Sequence, residues 1–203
     1  MSKGDVVNFD VYVTPLYDGN ISDSGFKPDI GQTKSIIGHL LSALEQLTTA
    51  GKCHNDLKPT NIIYKYNKKK YTIRVSDFGQ CGRRGGTPGW TAPIFNDRRP
   101  GKEDMFSVGL IILQLLCADK NLFYCLRDNF VDDPNADWIQ KFRNMIEINF
   151  VIQMVDLDNQ PSVREIQTQW KKISAKIKMI DEQRLLTLGV PSEYLKTQYS
   201  HTT

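Results

Sequence analysis

Three side chains with complementary chemistry lie within six residues of one another in the stretch from His54 to Asn61. Asp56 offers a carboxylate, Lys58 an amine and Asn61 a carboxamide, and a second carboxylate follows at Asp77. A carboxylate can orient a hydroxyl group and accept its proton, and an amine can neutralise charge on a moving phosphoryl group. The carboxamide and the second carboxylate can hold metal ions that bridge phosphates. These residue types therefore suit phosphoryl transfer.

A helix and a hairpin are predicted to position these residues. Residues Thr33–Ala50 place apolar side chains on one stripe at helical spacing, and Gly51 ends the helix as a C-cap. Ile62–Tyr64 and Tyr71–Val75 read as two strands around the basic turn Lys68–Lys70. The candidate residues Asp56, Lys58 and Asn61 then lie on the loop between helix and strand.

The remaining chain predicts more helices than strands. A strand is expected at Val6–Thr14, a loop at Pro15–Gly31 and an apolar helix at Asp104–Ala118. Further helices are expected at about Leu122–Arg127, Asp137–Met154 and Ser162–Ile173, the last continuing to about Leu188 and broken at Gly189-Val190-Pro191.

Composition restricts the class of protein. The chain has 203 residues, 40% of them hydrophobic, which is enough to build a core. A net charge of +3 is too small to argue for nucleic acid or membrane partners. The four cysteines form no Cys-x-x-Cys pair, and neither a signal peptide nor an apolar stretch of membrane-spanning length is visible. We therefore expect reduced thiols and a cytoplasmic protein.

The motif His54-Asn55-Asp56-Leu57-Lys58-Pro59-Thr60-Asn61, followed by Asp77-Phe78-Gly79, resembles the catalytic loop and metal-binding motif of eukaryotic-type protein kinases. The resemblance implies catalytic roles for Asp56 and Lys58, metal-binding roles for Asn61 and Asp77, and ATP with Mg²⁺ as cofactors. Kinase-like small-molecule phosphotransferases usually carry His where Lys58 stands. Lys58 therefore favours the protein-kinase branch and a Ser or Thr substrate.

The resemblance extends to residues that would bind nucleotide, dock substrate or support the site. Ile63 matches the apolar residue beneath adenine. The nucleotide hinge would lie at Tyr12, Val13 and Thr14, although an ordinary edge strand and turn explains those residues nearly as well. The resemblance implies that Thr87 and Trp90, within Gly86–Pro93, dock the substrate. Structural support falls to His54, Phe78 and Asp104, and Asp104 can also cap its helix.

The sequence departs from the family pattern at two places. Asn55 stands where the family usually has an Arg that grips a phosphorylated activation segment, so we expect this switch to be absent. Ile94 and Gln160 stand where the family has a Glu and its buried Arg partner. Because losing one partner would leave a buried charge unpaired, the joint loss suggests a fold that tolerates it.

The resemblance covers about Val6 to Ile173 and corresponds to a kinase C-terminal lobe alone. The Gly-rich loop, strand Lys and helix Glu of the N-terminal lobe are not found before His54. The expected fold is mainly α with small β elements, in which a short hairpin carries the catalytic and metal-binding loops. Two regions are expected, a kinase-like lobe with a hinge strand (1–173) and a helical tail (174–203).

Three functions remain open at this point, and so does whether the chain is an enzyme. The favoured one is residual or partner-dependent phosphoryl transfer from weakly bound ATP to Ser or Thr. The second is a non-catalytic, pseudokinase-type module that binds and regulates a partner kinase or its substrate. Phosphorylation of a small molecule is a weaker third. The expected partner is a protein, namely a kinase, a donor of the N-terminal lobe or a substrate. Loss of function in Asp56→Asn would favour the first reading over the second.

Overall fold

The computed structural model describes residues 14–83, 85–92, 101–132, 142–190 and 192–195. This part of the chain is mainly helical with one small sheet, as the sequence predicts. The strands and helices are, in chain order, β1 (Gly19–Asn20), α1 (Ile30–Thr49), β2 (Ile62–Asn67), β3 (Lys70–Val75), α2 (Lys102–Leu116), α3 (Lys120–Asp132), α4 (Ile146–Val155), α5 (Val163–Ile173) and α6 (Glu182–Thr187). Short 3-10 turns occur at Pro59–Asn61, Phe78–Gln80, Ser174–Lys176 and Ser192–Leu195.

Helix α1 confirms the predicted helix and begins three residues earlier. The Asp29 side chain accepts a hydrogen bond from the Gln32 backbone N–H, and the Gln32 side chain accepts one from the Asp29 N–H. This reciprocal capping box fixes the first turn. Gly51, with φ of +64°, follows the helix end in the left-handed conformation that favours glycine. The helix thus ends at the start of the candidate catalytic loop.

The sheet has the order β1-β2-β3, and both pairs are antiparallel. The β2–β3 hairpin is predicted correctly, but the loop predicted over Pro15–Gly31 is wrong at Gly19–Asn20, which forms β1. Strand β1 forms because the edge of β2 that does not pair with β3 offers backbone N–H and C=O groups for hydrogen bonds. The Asp18 carboxylate accepts hydrogen bonds from the Lys65 amine at 2.6 Å and from the Tyr66 N–H at 2.7 Å.

Helix α2 lies at the centre of the core. From Asp104 to Leu116 each residue except Gln114 is buried. Gly109 permits close packing against α4, because a Cβ atom there would lie 2.9 Å from Met154 Cβ. The predicted apolar helix over 104–118 is therefore confirmed as a buried central element.

The helix predicted to continue from residue 173 to about Leu188 is only partly correct, because the chain is helical again only at Glu182–Thr187. Helix α5 ends at Ile173, and the chain then runs through a 3-10 turn to Ile180, which forms a parallel bridge with Cys117. The Ile180 N–H donates to the Leu116 carbonyl at 2.7 Å, and the Ala118 N–H donates to the Ile180 carbonyl at 2.8 Å. Because the Ile180 backbone bonds to residues at the end of α2, it does not form the hydrogen bonds of a continuous helix. Ile177 and Ile180, which suggested a continuous helix, are buried in the common core outside any α-helix, and Leu185 is buried there as part of α6.

Other expectations are met only in part. The helix predicted over Asp137–Met154 is interrupted by a turn at 143–145, and α4 occupies only Ile146–Val155 of the described chain. The strand predicted at Val6–Thr14 lies outside the described residues except for Thr14. Within the described residues, no helix combines the length and apolar character that a membrane crossing requires.

Candidate active site

Asp104, at the start of α2, holds the backbone of the candidate catalytic loop. One carboxylate oxygen accepts the His54 N–H at 2.7 Å and the other accepts the Asn55 N–H at 2.9 Å. Asp104 is only 1% exposed. Burial raises the pKa of Asp104, although the two backbone hydrogen bonds act in the opposite direction. These two hydrogen bonds fix the backbone of the loop just before Asp56.

His54 links the loop to the end of β3. Its Nε2 atom lies 2.9 Å from the Ser76 carbonyl, and its Nδ1 atom accepts the Asp56 backbone N–H at 3.3 Å. Since a carbonyl can only accept, the two contacts together require the tautomer protonated at Nε2. The ring also packs against Phe78, with centroids 4.9 Å apart. Both ring nitrogens are therefore engaged in contacts inside the fold.

Asp56, Lys58 and Thr87 form a closed triangle of hydrogen bonds. The Lys58 amine donates to Asp56 Oδ2 at 2.9 Å and to the Thr87 hydroxyl at 2.7 Å. The Thr87 hydroxyl in turn donates to Asp56 Oδ1 at 2.7 Å. Lys58 lies two residues after Asp56, whereas Thr87, which the family resemblance implies as the hydroxyl partner of both, comes from a segment 31 residues away. The fold therefore brings the catalytic and substrate-docking candidates into direct contact.

The triangle determines the protonation state of the Asp56 carboxylate. Asp56 is buried, with 8% of its surface exposed. Burial by itself acts to raise the pKa of Asp56. The hydrogen bonds from Lys58 and Thr87, with the charge of Lys58, outweigh that effect and lower the pKa below its usual value. Asp56 is consequently ionised at neutral pH and can accept a hydrogen bond from an alcohol.

Asn61 is oriented by Asp56 and joined to β3 by Ser76. Its carboxamide nitrogen donates to the Asp56 backbone carbonyl at 2.9 Å, so its carboxamide oxygen points away from that carbonyl. The Ser76 N–H and hydroxyl both donate to the Asn61 carbonyl, at 2.8 and 3.0 Å. Sequence reasoning missed Ser76. The available signal was its position directly before Asp77, where a small polar residue can connect the two loops.

Asp77 lies at the exposed end of this connection. It adopts a left-handed backbone with φ of 60°, and its carboxylate accepts the Gly79 N–H at 3.4 Å to start the 3-10 turn Phe78–Gln80. A carboxylate and a carboxamide oxygen are hard ligands that suit Mg²⁺, which usually takes one or two protein ligands and completes its shell with phosphate and water. The described residues contain no group of three or more His, Cys, Asp or Glu suited to a metal. Asn61 and Asp77 thus supply one carboxamide oxygen and one carboxylate, which are donors of the kind that Mg²⁺ binds.

The candidate substrate-docking segment packs against the catalytic loop and α3. Trp90 is half-buried and stacks on Phe123, with ring centroids 5.4 Å apart and planes at 17°. Gly86 has φ of +138°, and a Cβ atom there would lie 2.7 Å from the Asn55 carbonyl and would also collide with the Thr91 hydroxyl. Glycine is therefore required for this close approach.

Asn55 contacts the segment that follows Asp77-Phe78-Gly79. Its carboxamide nitrogen donates to the Arg83 carbonyl at 2.8 Å. The residue has φ of 66°, a conformation that Asn tolerates better than most other side chains. A neutral carboxamide thus fixes this segment through its backbone, at the position where the family uses an Arg to grip a phosphate.

The remaining residues are the candidates for nucleotide binding and the two positions where the sequence lacks the family's Glu and Arg. Ile63 is half-buried on β2, opposite Arg74, and Thr14 is exposed, while Tyr12 and Val13 lie outside the described residues. Ile94 is also outside them. Gln160 donates through its carboxamide nitrogen to the backbone carbonyls of Lys102 and Met154, a neutral contact where the family has a buried Arg.

Comparison with known proteins agrees with the motifs. Calcium/calmodulin-dependent protein kinase type 1B of Rattus norvegicus is 37% identical over 93 residues, which cover 41% of this chain and 27% of that protein. The type 1 kinase of Macrobrachium nipponense is 32% identical over 143 residues, covering 61% and 40%. A probable myosin light chain kinase of Dictyostelium discoideum is 31% identical over 124 residues, covering 51% and 32%. The aligned regions thus span 27–40% of these relatives. A family model described as protein kinase domain matches residues 16–199, so the chain belongs to the protein kinase domain family.

Proposed function

We propose that the chain carries a phosphoryl-transfer site that moves a phosphoryl group from Mg²⁺-bound ATP to the hydroxyl of a Ser or Thr residue. The observation that carries the proposal is the triangle of Asp56, Lys58 and Thr87. Within it an ionised carboxylate already accepts a hydrogen bond from an alcohol, and an amine lies against that same alcohol oxygen. A substrate hydroxyl in an equivalent position would meet the same two groups.

Each group has a distinct role in the proposed reaction. Asp56 orients the acceptor hydroxyl and takes its proton as the oxygen bonds to phosphorus. Because the lowered pKa makes Asp56 a weak base, orientation contributes more than proton removal. Lys58 places a positive charge beside the moving phosphoryl group. Positioning and electrostatics of this kind supply most of the catalysis in phosphoryl transfer.

The nucleotide and metal would bind beside this triangle. Asn61 and Asp77 would hold Mg²⁺ through oxygen atoms, and the metal neutralises charge on the phosphates when it is bound. Ile63 would contact adenine, with Tyr12, Val13 and Thr14 as the proposed hinge. Since Asn61 is fixed by both Asp56 and Ser76, its position is set before any metal arrives.

The proposed activity is residual or depends on a partner protein. The sequence contains no Gly-x-Gly-x-x-Gly pattern before His54, and kinases use such a loop to cover the phosphates. We therefore propose that ATP binds this chain weakly. A second protein that covers the nucleotide would raise both affinity and turnover.

A non-catalytic binding module is the second candidate, and one observation favours it. Both carboxylate oxygens of Asp56 already accept hydrogen bonds from side chains of the same chain. A substrate hydroxyl must displace Thr87 or share its acceptor. In this reading the network stabilises the fold of a module that binds a kinase or its substrate.

Thermal unfolding with ATP tests the proposed nucleotide site. We expect millimolar ATP to raise the Tm only when Mg²⁺ is present, since a ligand that binds only the folded state stabilises it by mass action. Asp77→Ala should abolish the increase. Asp158→Ala, which removes an exposed carboxylate on the α4–α5 connection, is the matched control and should keep it. No increase in the wild type, or an equal one in Asp77→Ala, would refute the proposed site.

Phosphate transfer by Asp56→Asn separates the two candidates. The enzyme proposal expects ATP to bind this variant while transfer to Ser or Thr is lost. The module proposal expects any effect on a partner to survive the substitution. Circular dichroism and the unfolding midpoint of the variant would show whether the fold is retained.

A further inference from the structure

An ion pair far from the candidate active site joins α4 to the C-terminal segment Ile177–Val190. Glu147, in the first turn of α4, is buried. One of its carboxylate oxygens accepts the Lys178 N–H at 2.7 Å, and the other lies 3.1 Å from the Arg184 guanidinium. Arg184 also donates to the Met179 carbonyl. Because loss of Arg184 would leave the buried Glu147 carboxylate without an ionic partner, the pair holds the C-terminal segment on α4.

The C-terminal segment also fixes the residues that lead into α3. The Ile180 carbonyl accepts the Ala118 N–H at 2.8 Å. Asp119 comes next in the chain, and its side chain accepts the Leu122 N–H at 2.8 Å, which caps the first turn of α3. The 3-10 turn Ser192–Leu195, which follows the segment, packs against α3 itself. The position of α3 therefore depends on the C-terminal segment at two places.

Helix α3 in turn supports the candidate substrate-docking segment through an aromatic contact. Phe123 is buried and stacks on Trp90, with ring centroids 5.4 Å apart. The Trp90 N–H donates to the Thr87 carbonyl at 3.1 Å, and the Thr87 hydroxyl donates to Asp56. Contiguous packed side chains and hydrogen bonds of this kind carry coupling between distant sites. One such series of contacts leads from Arg184 to the hydroxyl beside Asp56.

A second contact between α3 and the docking segment lies one helical turn further on. A Cβ atom at Gly89 would lie 3.3 Å from the Arg127 Nη1 atom, so the guanidinium lies directly against the Gly89 backbone. Arg127 is held in place by an ion pair with Asp128 at 2.6 Å and by the Tyr124 ring beneath it. Because Phe123 and Arg127 are four residues apart on one helix, a displacement of α3 would move both contacts together.

We propose that Glu147 and Arg184 are positioning residues for the acceptor substrate. Their ion pair fixes the C-terminal segment, the segment sets α3, and α3 holds the docking segment in place. The proposal rests on the phosphoryl transfer proposed above and adds a support for it outside the catalytic loop. Asp56 is held separately, because Asp104 fixes the backbone just before it. Loss of the ion pair should therefore weaken binding of the protein substrate and leave the chemical step and the nucleotide site intact.

Amide hydrogen exchange of the full chain tests the coupling without relying on phosphoryl transfer. We expect Arg184→Gln to speed exchange of the amides at Thr87–Thr91 by about tenfold and to leave exchange in α1 unchanged. Arg184→Lys, which keeps a positive charge, should restore most of the protection. Arg164→Gln makes the same change at an exposed arginine of α5 and is the matched control, so it should exchange like the wild type.

Steady-state transfer of phosphate to a protein substrate tests the functional consequence. Arg184→Gln should raise KM for that substrate by about tenfold and change kcat by less than about twofold, which is the signature of lost binding that ground state and transition state share. The increase in Tm with Mg²⁺ and ATP should equal that of the wild type. Arg184→Lys should return KM most of the way to the wild-type value.

Wild-type exchange at Thr87–Thr91 in Arg184→Gln would overturn the proposal. An equal increase of exchange in α1 would also overturn it, because the ion pair would then stabilise the whole fold without a specific effect on the docking segment. A loss of kcat at unchanged KM would contradict the assigned role. Glu147→Gln, which keeps an acceptor for the Lys178 N–H, repeats the tests if Arg184→Gln does not fold. Absence of transfer by the wild type would refute the proposed function, whereas exchange would still decide the coupling.

Discussion

Replacement of Asp104 by Ala should destabilise the whole fold, because this carboxylate accepts two backbone hydrogen bonds from the candidate catalytic loop. The substitution leaves the His54 and Asn55 N–H groups without their acceptor in a buried site. An orphaned buried donor costs about 1–3 kcal/mol, so two give about 2–6 kcal/mol. Removing a buried carboxylate whose pKa is raised by burial relieves part of that cost. We therefore expect a loss in the lower half of this range, about 3 kcal/mol.

Urea unfolding at neutral pH measures this loss directly. Glu103→Ala is the matched control, because it removes the adjacent carboxylate in the first turn of the same helix. Its charge interacts with the helix dipole and should contribute only about 0.3–1 kcal/mol. Asp104→Asn should fall between the two, since a carboxamide retains one acceptor oxygen. A loss in Asp104→Ala no larger than that in Glu103→Ala would refute the reasoning.

Three further predictions follow from close approaches and from charge. Gly86→Ala should destabilise the substrate-docking segment by about 1–3 kcal/mol and slow any phosphate transfer, whereas Gly85→Ala, with φ of +143° and no atom near its Cβ position, should cost less. In urea unfolding, Gly109→Ala should cost about 1–3 kcal/mol through the contact between α2 and α4, while Gly38→Ala should be neutral or stabilising by up to about 1 kcal/mol. Because the folded pKa of Asp56 is lowered, its contribution to stability should be present above its unfolded pKa and be lost as pH falls through the folded pKa. The difference in unfolding free energy between wild type and Asp56→Asn, followed from neutral pH into acid, should shrink accordingly, and an increase on acidification would contradict this sign.

Local sequence patterns predicted the helices and the hairpin that position the candidate site. The stripe of α1, the hairpin and the buried helix α2 each carry a periodicity that one type of element satisfies. Lys58 and Asn61 follow Asp56 so closely that the loop must keep them together. For these parts, short-range sequence and tertiary structure agree.

Parts that depend on distant partners were not predictable in the same way. Strand β1 forms because β2 has a free edge, and the segment near Ile180 leaves the helix because the end of α2 offers backbone partners. The stacking of Trp90 on Phe123 and the use of Ser76 as a connector also depend on residues far apart in the chain. Periodicity within a window contains no information about such partners.

Transfer of labelled phosphate from ATP to a Ser- and Thr-containing protein substrate tests the central claim most directly. We expect slow, Mg²⁺-dependent transfer by the wild-type chain that Asp56→Asn abolishes. Asp158→Ala should transfer phosphate at the wild-type rate. An unchanged rate in Asp56→Asn, or no transfer by wild type with ATP and Mg²⁺ at saturation, would contradict the assignment of Asp56 as the residue that orients the acceptor hydroxyl.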